Sequence, residues 1–324
     1  MNRRIALSAL GFLISAVLLW LMLRTIQFHE IQAAIASVTL PILVCSLVSR
    51  LLGFVFMASR TRVLMDAKVS FPDLLRGQLA GFAGNNLLPL RLGELVRVAY
   101  LARRSDVPQA SWLAVAGLER LFDMMTLMAM FLLVAPLALG DVPKQASFLV
   151  LGVGVLCVTV VTLIVARYPR RVLDFTQRVL RPLGPRFGEI LLSRSSQFID
   201  GLAGLRSWRR VSAATLASLC YWAMSVVSVQ IWIAAFGLTL PWYAPVFVIG
   251  MLAFGTALPS APGFVGTWHY LCQSALVIMA VPKSTAVAFS LVGHFMTVVP
   301  FTVLALFVLG TSLFREQFRQ ATRL

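Results

Sequence analysis

Apolar runs long enough to cross a bilayer recur along the whole chain, at about residues 5–23, 41–60, 108–138, 146–167, 211–236 and 284–312. A run of roughly 20 apolar residues matches a hydrocarbon thickness of about 30 Å. Lipid offers the backbone no hydrogen-bond partner, so each run is expected to close its own bonds as a helix. The composition agrees. Of 324 residues, 59% are apolar and 12% charged, against a charged share of about 25% in soluble domains. The expectation is an all-α polytopic membrane protein of about six full spans, forming a single membrane domain over residues 1–324.

A formal charge of +16 would suggest nucleic acid in a soluble protein, but here its location argues for lipid instead. Arg3, Arg4, Arg60, Arg62, Lys68, Arg103 and Arg104 flank the runs, and a basic segment at 167–210 joins two halves. Such bias marks cytoplasmic loops facing an anionic leaflet. It puts the N-terminus, 60–76, Arg103–Arg104, 167–210 and Arg315, Arg319 and Arg323 on the cytoplasmic side. Both termini are then cytoplasmic, as in a multi-pass membrane protein. Residues 5–23 follow Asn2-Arg3-Arg4 like a signal peptide, yet no small-x-small cleavage site follows, so an uncleaved span is expected. Cys45, Cys157, Cys220 and Cys272 are far apart in apolar runs and read as buried small hydrophobes. No metal and no cofactor is expected.

Two apolar stretches, 73–100 and 242–281, are broken in the middle by Asn, Pro and Gly. The charge bias on either side makes both re-entrant helical hairpins, the first entered from the cytoplasm and the second from outside. Pro89-x-x-x-Gly93 parallels Pro259-x-x-x-Gly263, and each half continues through a second proline, Pro108 or Pro282, to an ionisable residue twelve positions on, Arg120 or His294. Opposite insertion of matching units is the mark of an inverted repeat, whose broken helices meet near the midplane and form a substrate site. The halves run from about 24 to 145 and from 211 to 312. The connector, with Pro169, Pro182 and Pro185, reads either as an amphipathic helix on the headgroups or as a solvated link.

Chemistry concentrates in the first hairpin and the span after it. Asn85 and Asn86 precede the break, and Arg91, Glu94 and Arg97 follow it three residues apart on one helical face. Glu119, Arg120 and Asp123 lie within an apolar run. Three arginines against three carboxylates can neutralise one another, either as ion pairs that only order the hairpin or as a site where an arginine is released to a phosphate. Charges at bilayer depth are functional candidates by default, and the guanidinium fork suits phosphate. The second hairpin has milder groups at Ser260, Thr267, His269 and Gln273, with His294 on the next span, where a histidine could sense pH or relay a proton. Removing Arg120 should destabilise more than neutralising Glu119. No GxSxG, HExxH or GxxxxGK[ST] pattern occurs, so the chain is expected not to be an enzyme.

Pro89-x-Arg91-x-Gly93-Glu94-x-x-Arg97, Glu119-Arg120-x-x-Asp123 and Pro259-x-x-Pro262-Gly263-x-x-Gly266 resemble, in order, the motifs of the flippase-like family that includes the transmembrane region of lysylphosphatidylglycerol synthase. The resemblance covers about residues 5–312. It departs where Phe264 follows Gly263 and His269 stands in place of a glutamate. The resemblance implies movement or binding of lipids, with phosphate-bearing headgroups as partners, and a homo-oligomer or a lipid-modifying enzyme as a further partner. Ending at Leu324 without an aminoacyltransferase domain, the chain is expected not to make the lysylated lipid itself. Lipid flipping is the leading function, with small-solute or ion transport and a lipid-binding subunit as alternatives.

Overall fold

The computed structural model describes residues 13–21, 32, 36, 39–65, 69–88, 92–139, 145–180, 185–255 and 260–321, and the regular structure among them is entirely helical. A short helix α1 covers 13–21. The others are α2 (Leu40–Met65), α3 (Phe71–Leu87), α4 (Gly93–Arg103), α5 (Gln109–Leu139), α6 (Gln145–Arg167), α7 (Pro169–Leu180), α8 (Pro185–Gly201), α9 (Trp208–Ala235), α10 (Ala244–Gly255), α11 (Thr267–Ile278) and α12 (Lys283–Ala321), with short 3-10 turns at Ala203–Arg206 and Pro262–Phe264.

Four of these, α2, α5, α9 and α12, are long and apolar enough to cross a membrane, and the chain is a membrane protein. They lie where the apolar runs predict. The run at 146–167 becomes α6, which passes as a span only together with α7, and the two are bent by 97°. Of the run at 5–23, residues 13–21 are helical and the rest lies outside the described residues. The expected six spans are thus four, or five, among the described residues.

Both broken stretches fold as two short helices around a break. In the first, Ser70 caps α3, its Oγ accepting from the Asp73 N–H at 3.2 Å with Pro72 in the opening turn, as capping chemistry requires. Helix α4 returns antiparallel to α3. Gly77 meets Leu101, Gly81 meets Arg97 and Gly84 meets Gly93, and the missing side chains allow the backbones to touch. Asn85 closes the break by accepting the Gly93 N–H at 3.0 Å. In the second, Gly263 (φ 66°), Phe264 (φ 58°) and Gly266 (φ 87°) turn the chain through the left-handed region, which glycine enters without steric cost.

The helices interlock between the halves. Helix α2 runs antiparallel to α9, through Ser46 to Ser228 at 2.9 Å, Gly53 to Tyr221 and Arg60 to Ser218 at 3.0 Å. Helix α3 packs on α12, with Phe54, Phe82 and Phe301 clustered at 5.4–6.4 Å. Helix α10 packs on α5, where Phe131 and Phe247 stack at 5.9 Å beneath Gly250. The largest apolar core joins α5, α9, α10, α11 and α12 around Phe131, Trp232, Phe247 and Phe289. In the connector, α8 docks on α5, where Ser111 Oγ donates to Gln197 O at 2.6 Å. Helix α7 buries no residue and leaves Phe175 and Val179 exposed beside Arg171 and Arg178.

Candidate functional site

The tips of the two broken stretches meet. The Asn86 carbonyl lies 3.5 Å from where a Cβ on Gly263 would stand, and Asn86 Nδ2 donates to Thr302 Oγ1 on α12 at 2.9 Å. Ser15 on α1 accepts the Ala261 N–H at 2.9 Å. Beside this junction, between the halves, lies a cavity of about 430 Å³. Most of its wall is apolar, from Phe54, Phe82, Met124, Leu127, Trp232 and Phe289, while Glu94, Arg97, Arg120 and Asp123 gather on one wall and His294 and Trp268 on another.

The charged wall is the exposed edge of a buried ion-pair network. Arg60 on α2 is fully buried and grips Asp123 with Nη1 at 2.6 Å and Nη2 at 3.3 Å, a fork on a carboxylate. Arg60 also lies 3.8 Å from Glu119 and donates to Ser218 at 3.0 Å. Glu119, fully buried, accepts from Thr61 and from Arg97. Arg97 reaches Glu94 at 2.8 Å and Gln78 Oε1 at 3.0 Å, and Gln78 donates onward to Thr61 at 2.7 Å. Arg120 bridges Glu94 at 2.8 Å and Asp123 at 3.5 Å, and the Trp222 indole N–H caps Asp123 at 3.2 Å. Buried charges persist only when paired and hydrogen-bonded, and every carboxylate here has at least two partners. The balance is neutral, three arginines to three acids.

That balance differs in membership from the one read in the sequence. The sequence puts Arg60 among the flanking cytoplasmic charges, near the end of an apolar run beside Arg62. Its side chain instead turns inward against α5 and α9 and is the most enclosed cation of the network. Arg91, expected in that place, lies outside the described residues. Gln78, Thr61, Ser218 and Trp222 were also not singled out. Polar groups recurring on the inner faces of otherwise apolar helices are the signal that could have found them.

The other expected site residues separate into two groups. Asn85, Asn86, Glu94, Arg97, Arg120, Asp123 and His294 line the cavity. Glu119 sits behind the wall, and Ser260, Thr267 and His269 do not line it. His294 Nε2 lies 2.7 Å from the Gly263 carbonyl; since that oxygen only accepts, Nε2 holds the proton. His269 Nδ1 accepts the Gly266 N–H at 3.2 Å. The two rings meet edge to face at 4.5 Å with Trp268 5.0 Å from His294. Thr267 Oγ1 and Gln273 Oε1 are buried without a hydrogen-bond partner among the described residues, as are Arg60 Nε and Glu94 Oε2 within the ion-pair network. Nor do the described residues hold a cluster of His, Cys, Asp and Glu fit for a metal.

A family model described as "Lysylphosphatidylglycerol synthase TM region" matches residues 8–305. Among curated proteins, "Glycosyltransferase AglD" of Haloferax volcanii is 26% identical over 246 residues, which make up 65% of this chain and 39% of that protein. The chain thus spans well under half of that relative's length. The family description points to a function connected with membrane lipid. The two findings also correct the expectation that the chain is not an enzyme, since the family is described by a synthase and the relative as a glycosyltransferase, both of them enzyme-related. The absence of catalytic motifs was judged within one chain, whereas most of the relative lies outside the shared segment.

Proposed function

Since the chain belongs to the lysylphosphatidylglycerol synthase TM-region family, we propose that it is a lipid transporter of the flippase kind, moving a phosphate-bearing lipid across the bacterial cytoplasmic membrane. The observation that carries this reading is the cavity between the halves, polar along one wall and apolar along most of the rest. A headgroup needs charge and hydrogen bonds at a depth where lipid supplies neither, and acyl chains need none.

The arrangement of the helices supports the same reading. Helices α2 to α5 make among themselves, and with α9 to α12, contacts that keep their pattern when the two sets are exchanged, apart from that of α2 with α5. On this reading the sets are inverted repeats, the broken stretches are re-entrant, and rocking of one set on the other opens the cavity to each side in turn. Both termini and the 167–210 connector are cytoplasmic, with α7 on the anionic surface. The ion-pair wall orients the headgroup, and His294 contacts it from α12.

A second reading, a lipid-holding membrane unit that serves an enzyme, is favoured by the greater length of the glycosyltransferase relative. Liposome reconstitution with a panel of tail-labelled lipids distinguishes the two. A flippase exposes inner-leaflet label to an external quencher in proportion to the protein added. A lipid-holding unit binds the same lipid and leaves the label protected, and that result would overturn the transporter reading.

A further inference from the structure

Arg50 stands within α2, ten residues before Arg60 and so about 15 Å away along the helix. It is half-buried and lines the cavity. Its guanidinium has no ion pair or hydrogen bond to any described residue. Its neighbours on the outer face, Val48, Leu51 and Leu52, are exposed as a lipid-facing surface would be, while Ser46, Ser49 and Gly53 are buried against α9. Among the described residues, Arg50 is therefore a cation within a helix long enough to span the membrane that opens on the cavity and faces no carboxylate.

The other arginines of the site differ in kind. Arg60, Arg97 and Arg120 each hold two carboxylates, and together they neutralise Glu94, Glu119 and Asp123. Adding Arg50 leaves the site with one uncompensated positive charge among the described residues. A buried charge without a partner is costly, and a ligand bringing one negative charge removes that cost on binding.

We infer that Arg50 is the anion-binding residue of this cavity, and that it selects a lipid whose phosphodiester is its one uncompensated charge. This inference rests on the lipid reading proposed above and adds the residue and the headgroup charge. A phosphodiester fits because it carries one negative charge at neutral pH and presents two oxygens to the planar fork. Zwitterionic headgroups bring a cation into a site already in cationic excess. The apolar wall formed by Phe54, Phe82, Met124 and Phe289 calls for a ligand with hydrocarbon tails rather than a soluble phosphate.

The test uses the full chain in nanodiscs, with phosphatidylglycerol, phosphatidylcholine and diacylglycerol of identical tails as competing ligands and soluble glycerol phosphate as a tail-free control. Native mass spectrometry reads occupancy, and thermal melting is followed in parallel. The wild-type chain is expected to prefer phosphatidylglycerol at least tenfold over the other two lipids, with glycerol phosphate competing poorly. Arg50→Gln removes that preference without lowering the melting temperature, and Arg50→Lys retains part of it. The inference is overturned if Arg50→Gln keeps the preference, if the wild-type chain has none, or if glycerol phosphate competes as well as the lipid. Should Arg50→Gln fail to fold, Arg50→Lys decides, because an unchanged preference there removes the role given to the fork. Movement across liposomes is scored separately. Preference that depends on Arg50 in a chain moving no lipid supports the site while ending the flippase reading. Movement undiminished in Arg50→Gln, with its preference kept, ends the site and leaves that reading standing.

Discussion

Arg60 and Asp123, on different helices and 63 residues apart in sequence, face each other inside the molecule with both guanidinium Nη atoms on both carboxylate oxygens, at 2.6 and 3.3 Å. This fork joins α2 to α5, and the Arg60 bond to Ser218 draws in α9. A single side chain thereby ties α2 to two of the other long helices that line the cavity. The consequences for substitution follow from how deeply each member of the network is enclosed.

Burial reverses the order of damage expected from the sequence. Arg120 is 47% exposed toward the cavity, whereas Glu119 and Arg60 are fully enclosed. Glu119→Gln and Arg60→Met should each cost roughly 3–5 kcal/mol, the usual loss on breaking a buried pair. Arg120→Gln should cost about 1 kcal/mol or less, as for a partly solvated pair. Arg97→Lys belongs with the damaging group, since one ammonium cannot span Glu94, Glu119 and Gln78 together. Melting in detergent at constant lipid content checks the order, and an Arg120→Gln chain melting below Glu119→Gln would refute it.

Gly93→Ala should separate the two helices of the first broken stretch, because its Cβ would overlap the Gly81 carbonyl oxygen and the Asn85 amide nitrogen. Backbone cannot swing aside as a flexible side chain can, so at least the roughly 1–3 kcal/mol of ordinary overpacking is expected. Gly117→Ala on α5 is the matched control, where a new Cβ meets nothing within 4 Å; it should melt at or slightly above the wild-type temperature. A Gly93→Ala chain as stable as Gly117→Ala would show that the close approach is dispensable.

The bond from Asn86 to Thr302 joins the first tip to the last spanning helix across 216 residues. Thr302→Val and Asn86→Ala should each cost about 1 kcal/mol. The double variant should cost less than their sum, because each single change already removes the shared bond. Melting of the four chains closes the cycle, and strict additivity would mean that the bond contributes nothing.

Topology is open to a direct test. In a chain freed of native cysteines, single cysteines replacing Arg62 and Arg103 should react from the same side of the membrane, as the hairpin reading of 73–100 requires. Labelling from opposite sides would convert that stretch into a span and reverse the orientation of everything after it.

Much of this fold is legible in the chain itself. Apolar runs of bilayer length must become helices, since lipid leaves the backbone no other partner. Proline, asparagine and glycine in the middle of 73–100 and 242–281 must break them, and Glu94, Glu119 and Asp123 could be recognised as buried acids because they lie in helices otherwise made for lipid. Arg97 and Arg120 were legible as mates of those acids, but Arg60 was not. Spacing along one helix shows which residues share a face, but not which face of a helix distant in sequence comes to lie against it. The packing of α2 between α5 and α9 turned Arg60 from a flanking charge into the centre of the network. The same packing put Arg50 on the cavity wall beyond reach of any described carboxylate. Ion pairing at bilayer depth depends on contacts of a few ångströms between separate helices, and only the tertiary structure decided which arginines were neutralised and which met no carboxylate among the described residues.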